Sequence, residues 1–265
     1  MRYVRIFALH FQEAFALRSR SVVWFLIALL NPLTYFLFWT GMYAGNQVPF
    51  AQWNLSSIAT YYFLLVIAGS LLVVHIEEDV AYWDIQQGGL SQFLLKPLSY
   101  ILLKFFNELP WRLIQGFFGV IIFVMFWILF GSFIEVAHTS LDIVFAVFII
   151  VLGYIISFIF KMIVGITALW FTDYSGLQQL VEAILFIFAG MLMPLEFLPK
   201  AVQQAAYAMP FSYIIYFPLM AFQGKLTNIE SLRTIGIQIV WIVLLAGIYQ
   251  LMWKKGIRLF TGLGQ

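Results

Sequence analysis

The sequence predicts an all-α integral membrane protein with six transmembrane helices. Three observations carry that class. Of the 265 residues, 63% are hydrophobic and only 10% are charged, whereas a soluble domain carries roughly 25% charged residues. Such a chain cannot cover its surface with polar groups, so its surface meets lipid. The apolar runs are long and lack strand-period alternation, which favours helices over a barrel. The 14 Lys and Arg residues are unevenly spread over the polar stretches, and that asymmetry sets orientation in a bilayer.

Taken in order, residues 3–18 predict a helix lying in the membrane interface. Val4, Ile6, Phe7, Phe11, Ala14, Phe15 and Leu17 share one broad apolar side, with Arg5, Gln12, Glu13 and Arg18 on the rest. Residues 1–20 have basic residues at both ends and no small-residue cleavage site, unlike a secretory signal. The first span covers about 21–44, and Asn31-Pro32 inside it predicts a kink. Gly41 and Gly45 have a spacing that allows close helix contact. Residues 45–57 form a loop without Lys or Arg, and the second span covers about 58–76.

Residues 77–100 are the longest polar interruption, holding Glu77, Glu78, Asp79, Asp84, the pair Gly88-Gly89 and the step Lys96-Pro97. Gly88-Gly89 breaks the preceding helix and permits a sharp turn. Leu90, Phe93 and Leu94 then fall at i, i+3 and i+4, making an apolar face, and Pro97 stops the helix. An apolar face on a short helix outside the bilayer needs a partner, either another protein or the chain's own spans.

The third span covers about 111–131, and residues 132–140 again lack Lys and Arg. The fourth span begins near Leu141. The apolar run 143–171 would measure about 43 Å as one helix, against a bilayer core of about 30 Å. Lys161 is therefore expected at the interface, with 162–172 continuing as a tilted or surface turn. Asp173, Tyr174, Ser175 and Gly176 form the break before a fifth span at about 177–193. Residues 194–224 are apolar but interrupted by Pro194, Pro199, Pro210 and Pro218. They predict two short re-entrant helices, a backbone tolerated only where protein or a wet cavity covers it. The last span covers about 235–253 and ends in Lys254, Lys255 and Arg258.

With the N-terminus cytoplasmic, the inner set is Arg2, Arg5, Arg18, Arg20, Lys96, Lys104, Arg112, Lys161, Lys254, Lys255 and Arg258. The outer set is Lys200, Lys225 and Arg233. Both termini and residues 77–100 then lie inside, and the proline-broken segment faces outward. No internal repeat is evident, and residues 1–265 read as one membrane domain. Six helices with one wide outward face are few for a self-contained path, which points to a dimer.

Several chemistries are excluded. The chain has no cysteine, so disulfides, thiolate metal sites and thiol catalysis are out. His10, His75 and His138 fall on different segments and form no common metal site. No phosphate loop is present: Gly224-Lys225-Leu226-Thr227 lacks the leading glycine. The net charge of +2 gives no sign of a nucleic-acid partner. Among charges near the spans, Lys161, Asp173 and Glu182 lie at similar depth and suit either an ion-coupling network or a structural one at the interface. No chain of acids crosses the midplane, so energy is expected from elsewhere. Tyr35, Trp39, Tyr61 and Tyr62 suit either an amphipathic substrate or an interfacial belt.

Two stretches resemble the membrane subunits of type-2 ABC exporters, the group of permeases for drugs and for O-antigen and teichoic-acid precursors. One is QQGGLSQFLLKPLSYI at 86–101, and the other is FAGMLMPLEFLPKAVQQAAYAMPFSYI at 188–214. The order of features is similar too: interfacial helix, six spans, a short cytoplasmic helix between spans two and three, and a re-entrant pair before span six. Lys96-Pro97-Leu98-Ser99 and the FTDYSGL turn at 171–177 resemble a compact bacterial subgroup often encoded in pairs beside one ATPase gene. The resemblance implies a separate ABC ATPase subunit that binds ATP and Mg, with no cofactor on this chain. It implies a coupling helix with Gly88, Gly89, Leu90, Phe93, Leu94, Lys96 and Pro97 as the ATPase dock. It implies an external gate at Pro194, Pro199 and Pro210, and a path between two copies or two paralogues, lined mostly by spans one, two and five. The expected activity is outward movement of an amphipathic, drug-like or lipid-linked substrate across the bacterial cytoplasmic membrane. An ion-coupled secondary transporter and a membrane scaffold without transport are the alternatives.

Overall fold

The computed structural model of the chain describes residues 2–16, 18–44, 53–130, 134, 136, 139–171 and 174–260. Among them all regular structure is helical and no strand forms. The order is α1 (Arg2–Ala16), α2 (Arg18–Ala44), α3 (Leu55–Leu72), α4 (Ile76–Glu78) running into a π-helix (Asp79–Gln86), α5 (Leu90–Leu94) and α6 (Tyr100–Phe130). Then come α7 (Ser140–Ile166) with a 3-10 turn (Thr167–Leu169), α8 (Ser175–Phe188), a 3-10 turn (Leu195–Phe197), α9 (Lys200–Ala208), a 3-10 turn (Phe211–Tyr213), α10 (Tyr216–Phe222) and α11 (Asn228–Gly256).

The helix starts have local causes. The first turn of a helix leaves backbone donors without partners. Asn54 Oδ1 accepts from the Ser57 N–H at 2.6 Å to open α3, and Thr139 Oγ1 accepts from the Asp142 N–H at 3.2 Å to open α7. Thr227 and Glu230 form a reciprocal capping box at α11. That box starts α11 at Asn228, ahead of the expected 235, and Lys254 and Lys255 lie in its last turn, where the helix dipole favours cations.

α3 is the central helix, with every side chain from Ser57 to Val66 buried. α2 and α6 flank it, while α11 and α10 pack on α7. Gln238 on α11 is fully buried and donates to the carbonyls of Ile149 at 2.9 Å and Tyr213 at 3.0 Å, tying α11 to α7 and to the turn after α9. α1 lies along α6 with the Tyr3 ring stacked on Phe106, and leaves Val4, Leu9 and Phe15 exposed. Large apolar side chains also point away from the protein on α6 (Phe117, Ile121, Ile128), α7 (Leu141, Val147, Phe148) and α11 (Val240, Val243, Leu251). A surface this apolar is stable against acyl chains, not water.

By length and composition, four helical stretches among the described residues are able to cross a membrane: Leu55–Gln86, Tyr100–Ile128, Ser140–Leu169 and Asn228–Gly256. Lys200–Ala208 and Phe211–Phe222 pass together as a fifth, bent by 72°. α8 has 14 residues, about 21 Å, short of a bilayer core of about 30 Å. It ends at Phe188, ahead of the expected 193, because the Leu192 N–H turns back to the Phe186 carbonyl at 3.0 Å.

Two boundaries change. α6 starts at Tyr100 and runs through Pro110, so the third apolar run has a polar helical extension before residue 111. α7 continues past Lys161 to Ile166, and Lys161 is buried with 1% exposure. Asn31 and Pro32 lie within α2. Gly45, His138 and Asp173 lie outside the described residues.

α7 approaches the start of the turn after α3 closely at Gly165. A Cβ there would lie 2.8 Å from Val80 Cβ and 3.1 Å from Glu77 Cα. Gly165→Leu is expected to lower stability by about 1–3 kcal/mol through overpacking, read as a lower thermal midpoint in detergent. Gly176→Ala, with nothing within 4 Å of the added carbon, should leave the midpoint unchanged.

Candidate functional site

The turn between the π-helix and α6 is built from local geometry upward. The Gln87 N–H donates to the Tyr82 carbonyl at 2.9 Å, closing the last wide turn of the π-helix. Gly88 follows at φ +77°, a conformation that L side chains resist. A Cβ on Gly89 would sit 2.8 Å from the Trp83 carbonyl oxygen, and the Gly89 N–H donates to that same oxygen at 3.2 Å. The glycine pair is therefore required by the tightness of the turn, and the chain re-enters helix at once as α5.

The structure separates the residues expected to form the apolar face of α5. Leu90 is fully buried. Phe93 is half-buried, with its ring edge-on to Tyr100 at 5.8 Å and under the ammonium groups of Lys96 at 4.9 Å and Lys104 at 5.2 Å. Leu94 is 47% exposed and Leu95, just past the helix, is 87% exposed. Across the glycine turn, Trp83 is 60% exposed and Tyr82 is also exposed. A helix of five residues makes little more than one turn, so its side chains spread around all sides. Leu90 and Phe93 fasten the turn, and Leu94, Leu95, Trp83 and Tyr82 are its exposed apolar side chains. Lys96 and Pro97 are exposed at its end.

Two buried ion pairs hold this turn to the helices beneath it, and a third lies within α6. Lys161 on α7 donates to Glu77, and both side chains are 1% exposed. Lys104 on α6 meets Asp84 of the π-helix at 2.6 Å, and the Tyr100 hydroxyl donates to the same carboxylate oxygen at 2.5 Å. Arg112 meets Glu108 at 2.5 Å and also donates to the Val73 carbonyl at 3.0 Å and to Gln115 at 2.9 Å. Buried charges persist only when paired and hydrogen-bonded. The acidic stretch is thus divided: Glu77 and Asp84 are buried and paired, while Glu78 and Asp79 remain exposed. The Tyr174 hydroxyl beside α8 is pushed above its ordinary range by burial, with Glu77 and Glu78 nearby adding to the shift.

Of the charges considered for an intramembrane network, Lys161 and Glu182 are not brought together. Lys161 is taken by Glu77, and Glu182 is exposed and accepts from Gln178 on its own helix at 3.3 Å. The third member, Asp173, lies outside the described residues. No group of acids and histidines able to hold a metal occurs among the described residues. Tyr100, Lys104, Glu108 and Arg112 were legible as a polar ladder, each four residues from the last along α6, but the sequence reading did not single it out.

At the other end of the spans, neutral hydrogen bonds tie α2 and α3 to the chain after α8. The Tyr61 hydroxyl donates to the Gly190 carbonyl at 2.6 Å and the Tyr62 hydroxyl to the Leu192 carbonyl at 2.9 Å. The Trp39 indole donates to the Tyr62 hydroxyl at 2.9 Å. Trp39, Tyr61 and Tyr62 are therefore buried ties between α2, α3 and the chain after α8, and Tyr35 lies half-buried beside Tyr62. Pro194, Pro199 and Pro210 each stand immediately before a helical turn, where a missing backbone donor does no harm.

A family model described as an ABC-2 family transporter protein matches residues 29–264 of the chain. No curated protein matches it.

Removing one partner of the Glu77–Lys161 pair tests the frame. Lys161→Met strands a buried carboxylate and is expected to lower stability by about 3–5 kcal/mol, measured as a thermal midpoint in detergent. The double variant Glu77→Gln with Lys161→Met removes both charges and should recover most of that loss.

Proposed function

Because the chain belongs to the ABC-2 family of transporter proteins, we propose that it is the permease of an ATP-driven exporter, with ATP and Mg bound and hydrolysed on a separate ABC ATPase subunit. The substrate is an amphipathic, drug-like or lipid-linked compound, and the membrane is the bacterial cytoplasmic membrane. In this reading α2 is the first span and α8 the fifth, which with the four long apolar stretches makes six. Both termini and the turn at residues 77–100 are cytoplasmic, the bent segment 194–224 faces outward as a gate, and the path forms against a second copy or a paralogue.

The observation that carries this reading is the exposed set Trp83, Leu94 and Leu95 on a turn secured by buried ion pairs. An apolar projection on a polar end of the molecule is a contact surface, and a rigid mount passes displacement to the helices it is bonded to. Lys161 and Asp84 join it to α7 and α6, so a push on α5 reaches both. The buried ion pairs among the described residues are closed pairs gathered at this one end. An ion-coupled transporter needs titratable groups along its path, so this distribution favours an external energy source.

Leu95→Asp is expected to weaken binding of the ATPase by about thirtyfold or more, as for a contact hot spot, without moving the thermal midpoint. Phe93→Asp should lose the ATPase and also melt earlier, because its ring packs on Tyr100. Unchanged co-purification of the ATPase with both variants would overturn the dock.

Orientation has its own test. Lys200→Cys on exposed α9 should react with a membrane-impermeant maleimide added outside intact cells. Labelling only after the cells are opened would reverse the assignment.

A further inference from the structure

We infer that the groove between the start of α6 and the end of α11 binds the phosphate of an anionic phospholipid. Ser99 and Tyr100 line one side of it, and Ala246, Tyr249, Gln250 and Trp253 line the other. Its volume is about 250 Å³. At about 30 Å³ per liquid water, that is room for a headgroup and not for acyl chains. Three rings make its wall: Tyr100 stacks on Trp253 with centroids 4.8 Å apart, and Tyr249 stacks on Trp253 at 6.1 Å. The Tyr100 hydroxyl is taken by Asp84. Tyr249 is only 5% exposed, and its hydroxyl has no hydrogen-bond partner among the described residues. A buried hydroxyl in that state calls for an acceptor. Along α6, a helix of 31 residues, the first N–H to find a partner is that of Leu103, which donates to the Ser99 carbonyl at 2.9 Å. The Ser99 hydroxyl makes no capping bond among the described residues. The N–H groups of Tyr100, Ile101 and Leu102 therefore stay open beside the groove, and such a helix start favours an anion.

Charge at the groove has one sign. No carboxylate lines it among the described residues, and Asp84, which holds Tyr100, is closed by Lys104. Gln250 adds an exposed amide without a partner. Lys254 follows Gln250 at i+4 on α11 and so shares its face. Lys254 and Lys255 are exposed and form no ion pair among the described residues. Water-soluble phosphates share the chemistry of this site, but its surroundings favour a lipid. Leu102 and Leu251, next in sequence to Ile101 and Gln250, are 44% and 63% exposed. They lie on the two helices that flank the groove, both able to cross a membrane, so its rim meets acyl chains. A phospholipid seated there keeps its chains along the rim and its negative charge beside Lys254.

The inference rests on the membrane placement of the chain and not on the ATPase dock, so the test uses the purified permease alone. Native mass spectrometry would read retention of dihexanoyl phosphatidylglycerol against dihexanoyl phosphatidylethanolamine. The wild type should favour the glycerol lipid by about fivefold, the scale of one lysine beside an anionic lipid. Lys254→Gln should remove most of that preference. Tyr249→Phe keeps the stacked ring and removes only the hydroxyl. It should weaken both lipids by about tenfold, the scale of one charged hydrogen bond, with the thermal midpoint of the lipid-free protein equal to wild type. Equal retention of both lipids by the wild type, or undiminished retention by Tyr249→Phe, would overturn the proposal. A lower midpoint for Tyr249→Phe would give the hydroxyl a partner within the fold and overturn it as well. Complete displacement by glycerophosphoglycerol at the same concentration as the lipid would overturn its lipid source.

Discussion

The pairing of Glu77 with Lys161 is the constraint on which the rest of the architecture depends. Both groups are almost fully buried, and a lone charge there would cost several kcal/mol. The lysine therefore fixes where α7 must pass, and the glutamate fixes where the chain leaving α3 must turn. Gly165, one turn beyond Lys161 on α7, allows that approach because any larger side chain would strike Val80 and the Glu77 backbone. From this crossing the π-helix is led to Asp84, and Asp84 in turn holds Lys104 and Tyr100 at the head of α6. One buried pair thus aligns three segments that are far apart in sequence.

The two ends of the molecule are held by different physics. Charged, desolvated pairs secure the end that carries α5, whereas neutral hydrogen bonds from Trp39, Tyr61 and Tyr62 secure the end near the bent segment. A neutral hydrogen bond contributes a net of about 0.5–1.5 kcal/mol, and partners for its groups are readily exchanged. Breaking a buried charge pair is several times more costly.

The bent segment shows how apolar chain that does not form a straight span is accommodated. Its prolines start short helical turns, and tyrosine hydroxyls take up carbonyls that regular helix would have bonded. The Tyr213 hydroxyl donates to the Tyr207 carbonyl at 3.1 Å, and Ser212 donates to the Ala206 carbonyl at 2.9 Å. What is left over is the polar cavity beside α11, whose lining includes Glu196 and Arg233. Irregular backbone at membrane depth requires such cover.

Much of this was legible from residues alone. Composition established the membrane class, Gly88-Gly89 and Pro97 marked the turn and its end, and the four prolines marked the bent segment. Each of those is a local property, because backbone conformation and helix termination are set by residues a few positions apart. The Thr227-x-x-Glu230 cap and the four-residue ladder along α6 are equally local marks of where α11 and α6 begin. The partner of Lys161 was beyond local reasoning: Glu182 lay nearer in sequence, but Glu77, 84 residues away, is the group that helix packing brings into contact. The same holds for α5, where spacing grouped Leu90 with Leu94 and the fold buried one and exposed the other. Sequence by itself determined what kind of chain this is and where it must bend. Only the tertiary structure decided which charges are paired and which leucines are left exposed, because burial is a property of neighbours that the chain acquires on folding.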